Sequence, residues 1–196
     1  MNTTTNAAEL ASAIDPDTIR RWLELQYGTD KGTAWIGVDG PNGFNDNPFQ
    51  WPEQVEEIVE FIVAKNAAGY NVWYAAHLSY SKLRTSDGGE GRKMGRSVKR
   101  RRLHVDIDRE LTDADLDKLT ELHAWVVWSG SPGHVHAYIE LNRSVDVGMY
   151  HRLEDRLVAY FGADKAVCRD NGLLRIPGTV NWMSAKKPYP PQVVKS

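Results

Sequence analysis

Two aspartates, Asp106 and Asp108, stand two residues apart in the largely apolar stretch 103–108. In an extended strand side chains alternate between faces, so both carboxylates project from one side and the intervening apolar side chains from the other. Carboxylates held close together repel each other, and a divalent cation with a preference for oxygen ligands relieves the repulsion. The spacing therefore predicts a Mg²⁺ or Mn²⁺ site. A surface strand with two solvated aspartates is the alternative, because Asp-x-Asp also arises by chance.

Other groups suited to phosphate chemistry follow along the chain. His134 and His136 alternate with apolar residues in a predicted strand at 134–141, so both imidazoles lie on one face. The segment 164–181 carries further acids, Arg175 and Asn181 around a strand predicted at 173–176. Carboxylates, imidazoles and a guanidinium can together hold a metal-bound triphosphate.

Positive charge is concentrated just before the two aspartates. The stretch 82–102 holds nine Lys or Arg residues against two acidic residues, a local charge of +7 in a chain whose formal net charge is −2. Such a block is either a solvated loop or a track for phosphates. Its position ahead of the predicted metal site favours contact with nucleic acid, for which the candidate residues are Arg96, Lys99, Arg100 and Arg101.

The length and composition predict one globular domain. With 196 residues, 41% hydrophobic and 26% charged, the chain is long enough for one core, expected at about 15–183 within a single domain 1–196. The single cysteine, Cys168, excludes an internal disulfide framework and a multi-cysteine zinc site. A secretory signal and a long apolar run are both missing, so we expect a cytoplasmic protein without a membrane partner.

Helix signals recur between short strand-like segments. Asp15-Pro16 predicts a helix start and Gly28 its end, Thr112 with Asp115 predicts a capped helix, and Asp146 predicts a helix that ends at Gly162. Strands are predicted at 33–38, 70–78, 103–108 and 125–128, besides the two above. The segment 39–48 is dense in turn formers and is predicted to be a loop, and the chain beyond 183 to be a tail. This mixture favours an α+β fold over a doubly wound parallel sheet.

Three motifs, in this order and spacing, resemble the catalytic domain of the archaeo-eukaryotic primase superfamily, in particular its primase-polymerase branch from plasmids, phages and mobile elements. They are VDID (105–108), SGSPGHVHAYIEL (129–141) and RIPGTVN (175–181). The resemblance extends over about 35–181. It implies an RRM-like mixed or antiparallel catalytic sheet with flanking helices and an N-terminal α/β part.

The resemblance also implies a role for each matching residue. Asp106 and Asp108 would bind two divalent ions, with Asp164 as the third carboxylate and Asp170 as the second choice for it. Many family members have Ser-x-His in the second motif, whereas here His134 stands two residues before His136 and Ser131 lies further back. The resemblance implies that His136, which is also counted as catalytic, and Arg175 contact the nucleotide phosphates. It leaves open whether Ser131 or His134 shares this contact, and Asn181 is expected to bind the nucleotide.

The expected function is template-directed nucleotidyl transfer, which makes or extends primers on single-stranded DNA from NTP or dNTP substrates. Two alternatives stay open. The His-x-His pattern also occurs in rolling-circle replication nucleases, for which Tyr150 would be the nucleophile, and the basic stretch would also suit a non-catalytic module that binds single strands. The end of the chain at Ser196 suggests the N-terminal part of a longer replication protein, with a helicase domain as a possible partner.

Overall fold

The structure is a computed structural model that describes residues 7–40, 43–80, 95–163, 165, 168–182 and 191–196. In these ranges the helices are α1 (Ala7–Ser12), α2 (Pro16–Tyr27), α3 (Val55–Ala67), α4 (Asp113–Glu121) and α5 (Val147–Phe161). The strands are β1 (Gly32–Gly40), β2 (Gly43–Trp51), β3 (Asn71–Ala75), β4 (Arg102–Ile107), β5 (Trp125–Trp128), β6 (Val135–Glu140), β7 (Leu173–Arg175), β8 (Val180–Asn181) and β9 (Gln192–Val193). Across the same ranges, no helix has the length and apolar character needed to cross a bilayer.

The strands form three antiparallel sheets. Four strands lie in the order β2-β1-β3-β7, three lie in the order β4-β6-β5, and β8 pairs with β9. Helices and antiparallel strands are therefore mixed along the chain, which confirms the predicted α+β class.

Helices α2, α4 and α5 begin at the predicted capping residues. The Asp15 carboxylate accepts hydrogen bonds from the first-turn amides of α2, and Gly28 ends that helix with a positive φ of 56°. Thr112 and Asp115 form a reciprocal capping box at α4, and Asp146 caps α5. These polar caps satisfy amides that have no partner within the helix.

The three-stranded sheet separates two hydrophobic cores. One core is formed by the sheet face that carries Tyr138 and Val127, together with the four-stranded sheet and helices α2 and α3. The other lies between its opposite face, which includes Val105 and Val135, and helices α4 and α5. Because β4 and β6 are packed on both faces, polar side chains at their ends are held on a rigid support.

The prediction of a loop at 39–48 is wrong. Residues 43–51 form β2, which pairs with β1 in a register that places Phe44 opposite Asp39 and Pro48 opposite Trp35. Pro48 is tolerated because β2 is an edge strand of the four-stranded sheet, where a missing amide donor does not interrupt a ladder. The pairing with β1 overrides the turn-forming residues, and Asn47 adds a side-chain bond of 3.1 Å to the Ile36 carbonyl.

The end of the chain is not wholly a tail. Residues Gln192–Val193 pair with β8, Val194 is buried, and Lys195 forms a bridge to Trp128 at the end of β5. This last segment therefore contacts both the third motif, through β8, and the three-stranded sheet.

A buried asparagine attaches the third motif to helix α3. The Asn66 amide donates to the Val180 carbonyl (2.8 Å) and the Tyr70 carbonyl (3.0 Å), and its Oδ1 accepts from the Val180 amide (2.7 Å). Its side chain thus pairs with β8 much as a neighbouring strand would.

We predict that Asn66→Ala lowers the free energy of unfolding by about 2–4 kcal/mol, because it leaves the buried Val180 amide and carbonyl without their partner. Urea unfolding of the full chain measures the effect. Asn45→Ala, at an exposed position of β2, is the matched control and should change stability by less than about 0.5 kcal/mol. An equal, small effect for both variants would show that Asn66 does not anchor β8.

Candidate active site

The two aspartates face the two histidines across neighbouring strands. Asp106 on β4 pairs in register with His136 on β6, and the His136 Nε2 lies 3.7 Å from the Asp106 carboxylate. Asp108 follows β4 directly, and its carboxylate contacts the Nδ1 of His134, which precedes β6. Both carboxylates are partly exposed, at 17% and 44% of their side-chain surface, so they remain accessible to a ligand.

Arg175 on β7 brings a positive charge within electrostatic reach of Asp106. Its guanidinium lies 4.1 Å from the centre of the Trp73 ring and donates to the Asn71 Oδ1 at 2.8 Å. Burial lowers the pKa of Arg175 to about 9, while the negative charges of Asp106 and Asp39 raise it. The group therefore stays protonated at neutral pH, oriented by stacking and by one hydrogen bond.

The turn before β6 is held against the third motif. The Asn181 Nδ2 donates to the Ser129 carbonyl at 3.1 Å and to the Ser131 Oγ at 3.3 Å. Gly130 has a φ of 76°, and a Cβ at this position would lie only 2.7 Å from the Asn181 Cβ. Only glycine fits this approach, and the second and third motifs therefore touch.

Asp164 and Asp170 are the two candidates for the third carboxylate, and the structure describes only Asp170. Asp164 lies outside the described residues. Asp170 is fully buried, and the Arg100 Nε donates to its Oδ2 at 2.9 Å while the Gly95 amide donates to its Oδ1 at 2.9 Å. Burial alone would raise the pKa of Asp170, but the Gly95 amide and the Arg100 charge bring it below its ordinary value.

The four basic candidates for DNA binding are not equivalent. Arg96, Lys99 and Arg101 are exposed, whereas Arg100 points inward to Asp170 with only 10% of its side chain exposed. Arg100 is thus occupied by a buried ion pair.

The donor set at Asp106 and Asp108 fits a hard divalent cation. Two carboxylates project from one side of β4 and its end, and oxygen donors of this kind are what Mg²⁺ and Mn²⁺ prefer. Within the described ranges, no three His, Cys, Asp or Glu side chains are grouped to hold a metal ion. Asp164, which the resemblance assigns as the third ligand, is not part of those ranges.

Tyr150 does not suit the role of a nuclease nucleophile. It is fully buried, and its hydroxyl lies 3.0 Å from the His77 Nε2 and 3.2 Å from the His104 Nδ1. Burial also raises the pKa of Tyr150 well above its ordinary value, which disfavours the phenolate. The rolling-circle alternative therefore lacks its proposed nucleophile.

The histidines around Tyr150 make the stability of the fold depend on pH. Burial, assisted by repulsion from His104, lowers the pKa of His77 from 6.5 to about 3. Between these two values the unfolded chain binds a proton at this histidine and the folded chain does not, so the free energy of unfolding falls as the pH drops below about 6.5. From pH 7.5 to pH 5 this loss amounts to about 2 kcal/mol.

We therefore predict that His77→Gln, which keeps a hydrogen-bonding group, makes the stability less dependent on pH over that interval. Urea unfolding at the two pH values measures the change. His123→Gln, at an exposed position, is the control and should retain the parent dependence. A His77→Gln variant with the same pH dependence as the parent would contradict the prediction.

Two residues that orient the site were not predicted from the sequence. Asn71 and Trp73 on β3 contact Arg175, and the Asn71 Oδ1 also accepts a hydrogen bond from the Trp182 amide at 2.9 Å. The predicted strand at 70–78 contained both residues. Nothing near them in sequence indicated a partner, because Arg175 lies more than a hundred residues away.

Comparison with known proteins gives structural neighbours only. The chain matches no family model, and no curated protein sequence matches it. The AEP domain of the cyanophage S-2L primase-polymerase is similar in structure, with a TM-score of 0.64, 15% identity and coverage of 94% of this chain and 91% of the other.

Primase RepB' gives a TM-score of 0.60 at 19% identity, over 92% of this chain, and this chain spans 55% of the length of that one. The catalytic domain of RepB' in complex with initiator DNA gives a TM-score of 0.58 at 20% identity, with 89% and 81% of the two chains covered. At these identities the likeness concerns the fold.

Proposed function

Starting from the fold of an archaeo-eukaryotic primase-type catalytic domain, which the chain shares with these primases, we propose that it is a template-directed nucleotidyltransferase that makes or extends primers on single-stranded DNA. One observation carries the proposal: Asp106 and Asp108 face His136 and His134 across β4 and β6, and Asp106 lies within electrostatic reach of the protonated Arg175. Acids and imidazoles of the three-stranded sheet thus lie near a cation of the four-stranded sheet. We propose a single catalytic domain over 1–196.

Two divalent ions, Mg²⁺ or Mn²⁺, would be held by Asp106 and Asp108, with Asp164 as the third ligand. When bound, such ions neutralise the triphosphate and polarise the oxygens at the reacting phosphorus. In the reaction the 3′-hydroxyl oxygen of the primer loses its proton to solvent and forms a bond to the α-phosphorus of the nucleotide. The bond between that phosphorus and the oxygen that bridges to the β-phosphorus breaks, and pyrophosphate leaves with this oxygen.

The cationic side chains would bind and orient the triphosphate. Arg175 is held by Trp73 and Asn71, so little conformational freedom is lost when its guanidinium contacts phosphate oxygens. His136 is the first candidate for a further phosphate contact, and His134 stands two residues nearer to the turn. Ser131 and Asn181 would shape the nucleotide side of the site through the bond that joins them.

The template would follow the exposed basic residues before β4. Arg96, Lys99 and Arg101 are suited to contact the phosphates of a single strand, and we assign Arg100 to Asp170 instead. We propose that the chain binds template DNA and nucleotide substrates and that it works with a helicase or other replication partner.

A nucleotide-incorporation assay tests the proposed function. The full chain is incubated with unprimed and primed single-stranded DNA, labelled NTPs or dNTPs, and Mg²⁺ or Mn²⁺. We expect labelled products of dinucleotide length or longer, and the preferred sugar follows from which nucleotide is used. DNA cleavage with a protein-linked product, in place of incorporation, would favour the nuclease and refute the proposal. Binding of single strands without either reaction would favour the non-catalytic module.

A further inference from the structure

A small polar pocket lies between the end of α2 and the start of β4, outside the candidate active site. Its volume is about 100 Å³, and its lining includes Gln26, Asp30, Lys99, Arg101 and Arg102. Arg102 stands four residues before Asp106 on the same strand, which corresponds to roughly 13 Å of extended chain. The pocket and the active site are therefore separate places on one sheet.

Two buried donors at this pocket have no acceptor among the described residues. They are the Nε2 of Gln26 and the Nε of Arg102. The Arg102 Nη1 donates to the Gln26 Oε1 at 2.9 Å, which fixes the orientation of the amide and leaves Nε2 as a donor. Arg102 also donates to the Leu25 and Gln26 carbonyls at the end of α2, so its two terminal nitrogens are already used.

The charge around the pocket is positive. Arg101 and Arg102 are cationic, and Lys99 is paired with Asp30, the acid in the lining. Glu140 approaches the Arg102 Nη2 only to 3.8 Å. Arg101 is exposed at the rim and makes no ion pair with a described residue, so its charge is available to a ligand.

The size and donors of the pocket select a small oxyanion. Pockets for whole organic ligands usually exceed about 300 Å³, whereas this one has room for roughly three water molecules. A buried donor without an acceptor is costly, and an oxygen-rich anion would accept from both nitrogens while meeting the positive charge. From these observations we propose that the pocket formed by Gln26, Lys99, Arg101 and Arg102 binds a phosphate group.

The phosphate group comes either from the backbone of a single strand or from a terminal phosphate. The assignment of this phosphate to DNA rests on the proposed function. The proposal that the pocket binds phosphate does not depend on that function. The experiment therefore measures phosphate binding and DNA binding separately from incorporation.

In the first arm, the thermal midpoint of the full chain is measured against increasing inorganic phosphate, with chloride adjusted to hold the ionic strength constant. We expect the midpoint to rise with phosphate, because a ligand of the folded state stabilises it. Arg101→Gln and Gln26→Leu should each weaken the rise. Arg156→Gln, an exposed arginine on α5, is the matched control and should retain it. A rise that is absent, or the same in Arg101→Gln as in the parent, would overturn the proposal.

In the second arm, fluorescence anisotropy follows the binding of labelled oligothymidylate, with and without a 5′-phosphate, at several salt concentrations. For a backbone phosphate, Arg101→Gln should lower the slope of log affinity against log salt by about 0.7 for both oligonucleotides, as expected for one lost phosphate contact on a single strand. For a terminal phosphate, only the phosphorylated oligonucleotide should respond. If neither responds although inorganic phosphate binds, the assignment to DNA is refuted. If phosphate stabilises the chain but the chain incorporates no nucleotide, the proposed function is refuted and the proposal of a phosphate-binding pocket stands.

Discussion

Replacing Asp106 by asparagine is expected to reduce nucleotide incorporation by at least about 100-fold, the scale on which the loss of one electrostatic partner of a transition state acts. The substitution keeps the size of the side chain and removes the charge that faces His136 and Arg175. An amide also binds a divalent cation more weakly than a carboxylate, so excess Mn²⁺ should restore part of the activity. Incorporation by the parent and the variant over a range of metal concentrations measures both effects.

Asp117→Asn is the matched control, because Asp117 is an exposed aspartate on α4. It should retain the parent rate. Circular dichroism should show cooperative unfolding for both variants, so that a loss of activity is not a loss of fold. An Asp106→Asn enzyme with parent activity would exclude this carboxylate from the chemistry.

Replacing Arg100 by methionine is expected to lower the free energy of unfolding by about 3–5 kcal/mol, because it leaves the buried Asp170 carboxylate without its cation. Asp170 has no exposed side-chain surface, and the Arg100 Nε and Nη2 both lie 2.9 Å from its Oδ2. The Gly95 amide and the more distant His151 Nε2, at 3.4 Å, remain as partners, but neither replaces the full charge. Urea unfolding at neutral pH measures the cost.

The same substitution at a surface ion pair provides the comparison. Arg20 pairs with Glu56, whose side chain is 66% exposed, so Arg20→Met should cost far less stability than Arg100→Met. If the two variants lose equal stability, the Arg100–Asp170 pair does not hold the fold in this region.

The predictable part of the fold depends on neighbours a few residues apart. The caps of α2, α4 and α5 involve residues within three or four positions of one another, and they were predicted correctly. The alternation along β4 and β6 is equally local, and the structure confirms both strands. Their pairing, which sets Asp106 opposite His136, is a long-range feature.

Long-range pairing accounts for what was missed. The turn formers of 43–48 adopt a strand because β1 lies beside them, and β9 exists because β8 and β5 offer partners. Asn66 bonds to Val180 over 114 positions, a relation that no local pattern reveals.

The charge pattern is also a local signal, and it did not show which of the basic side chains are buried. The stretch before β4 predicted four basic residues for DNA, yet burial at alternate positions turns Arg100 inward and leaves Lys99 and Arg101 exposed.

The sequence indicated which residue types form the candidate site, but it did not indicate which side chains hold them in place. Asp106 lies beside His136 and within electrostatic reach of Arg175, and Asp108 contacts His134. The roles of these residues stay predictions. The side chains that orient Arg175 were missed, because their importance arises only when β3 and β7 pair. The role of Asp164 stays a prediction.

Template dependence is the property to measure. Primed single-stranded templates that differ only in the next unpaired base would each be given the four nucleotides one at a time, with Mg²⁺ or Mn²⁺. We expect the parent to add the nucleotide complementary to that base, and Asp106→Asn to add none at a comparable rate. Addition that ignores the template base, or no addition by the parent on any template, would contradict template-directed nucleotidyl transfer.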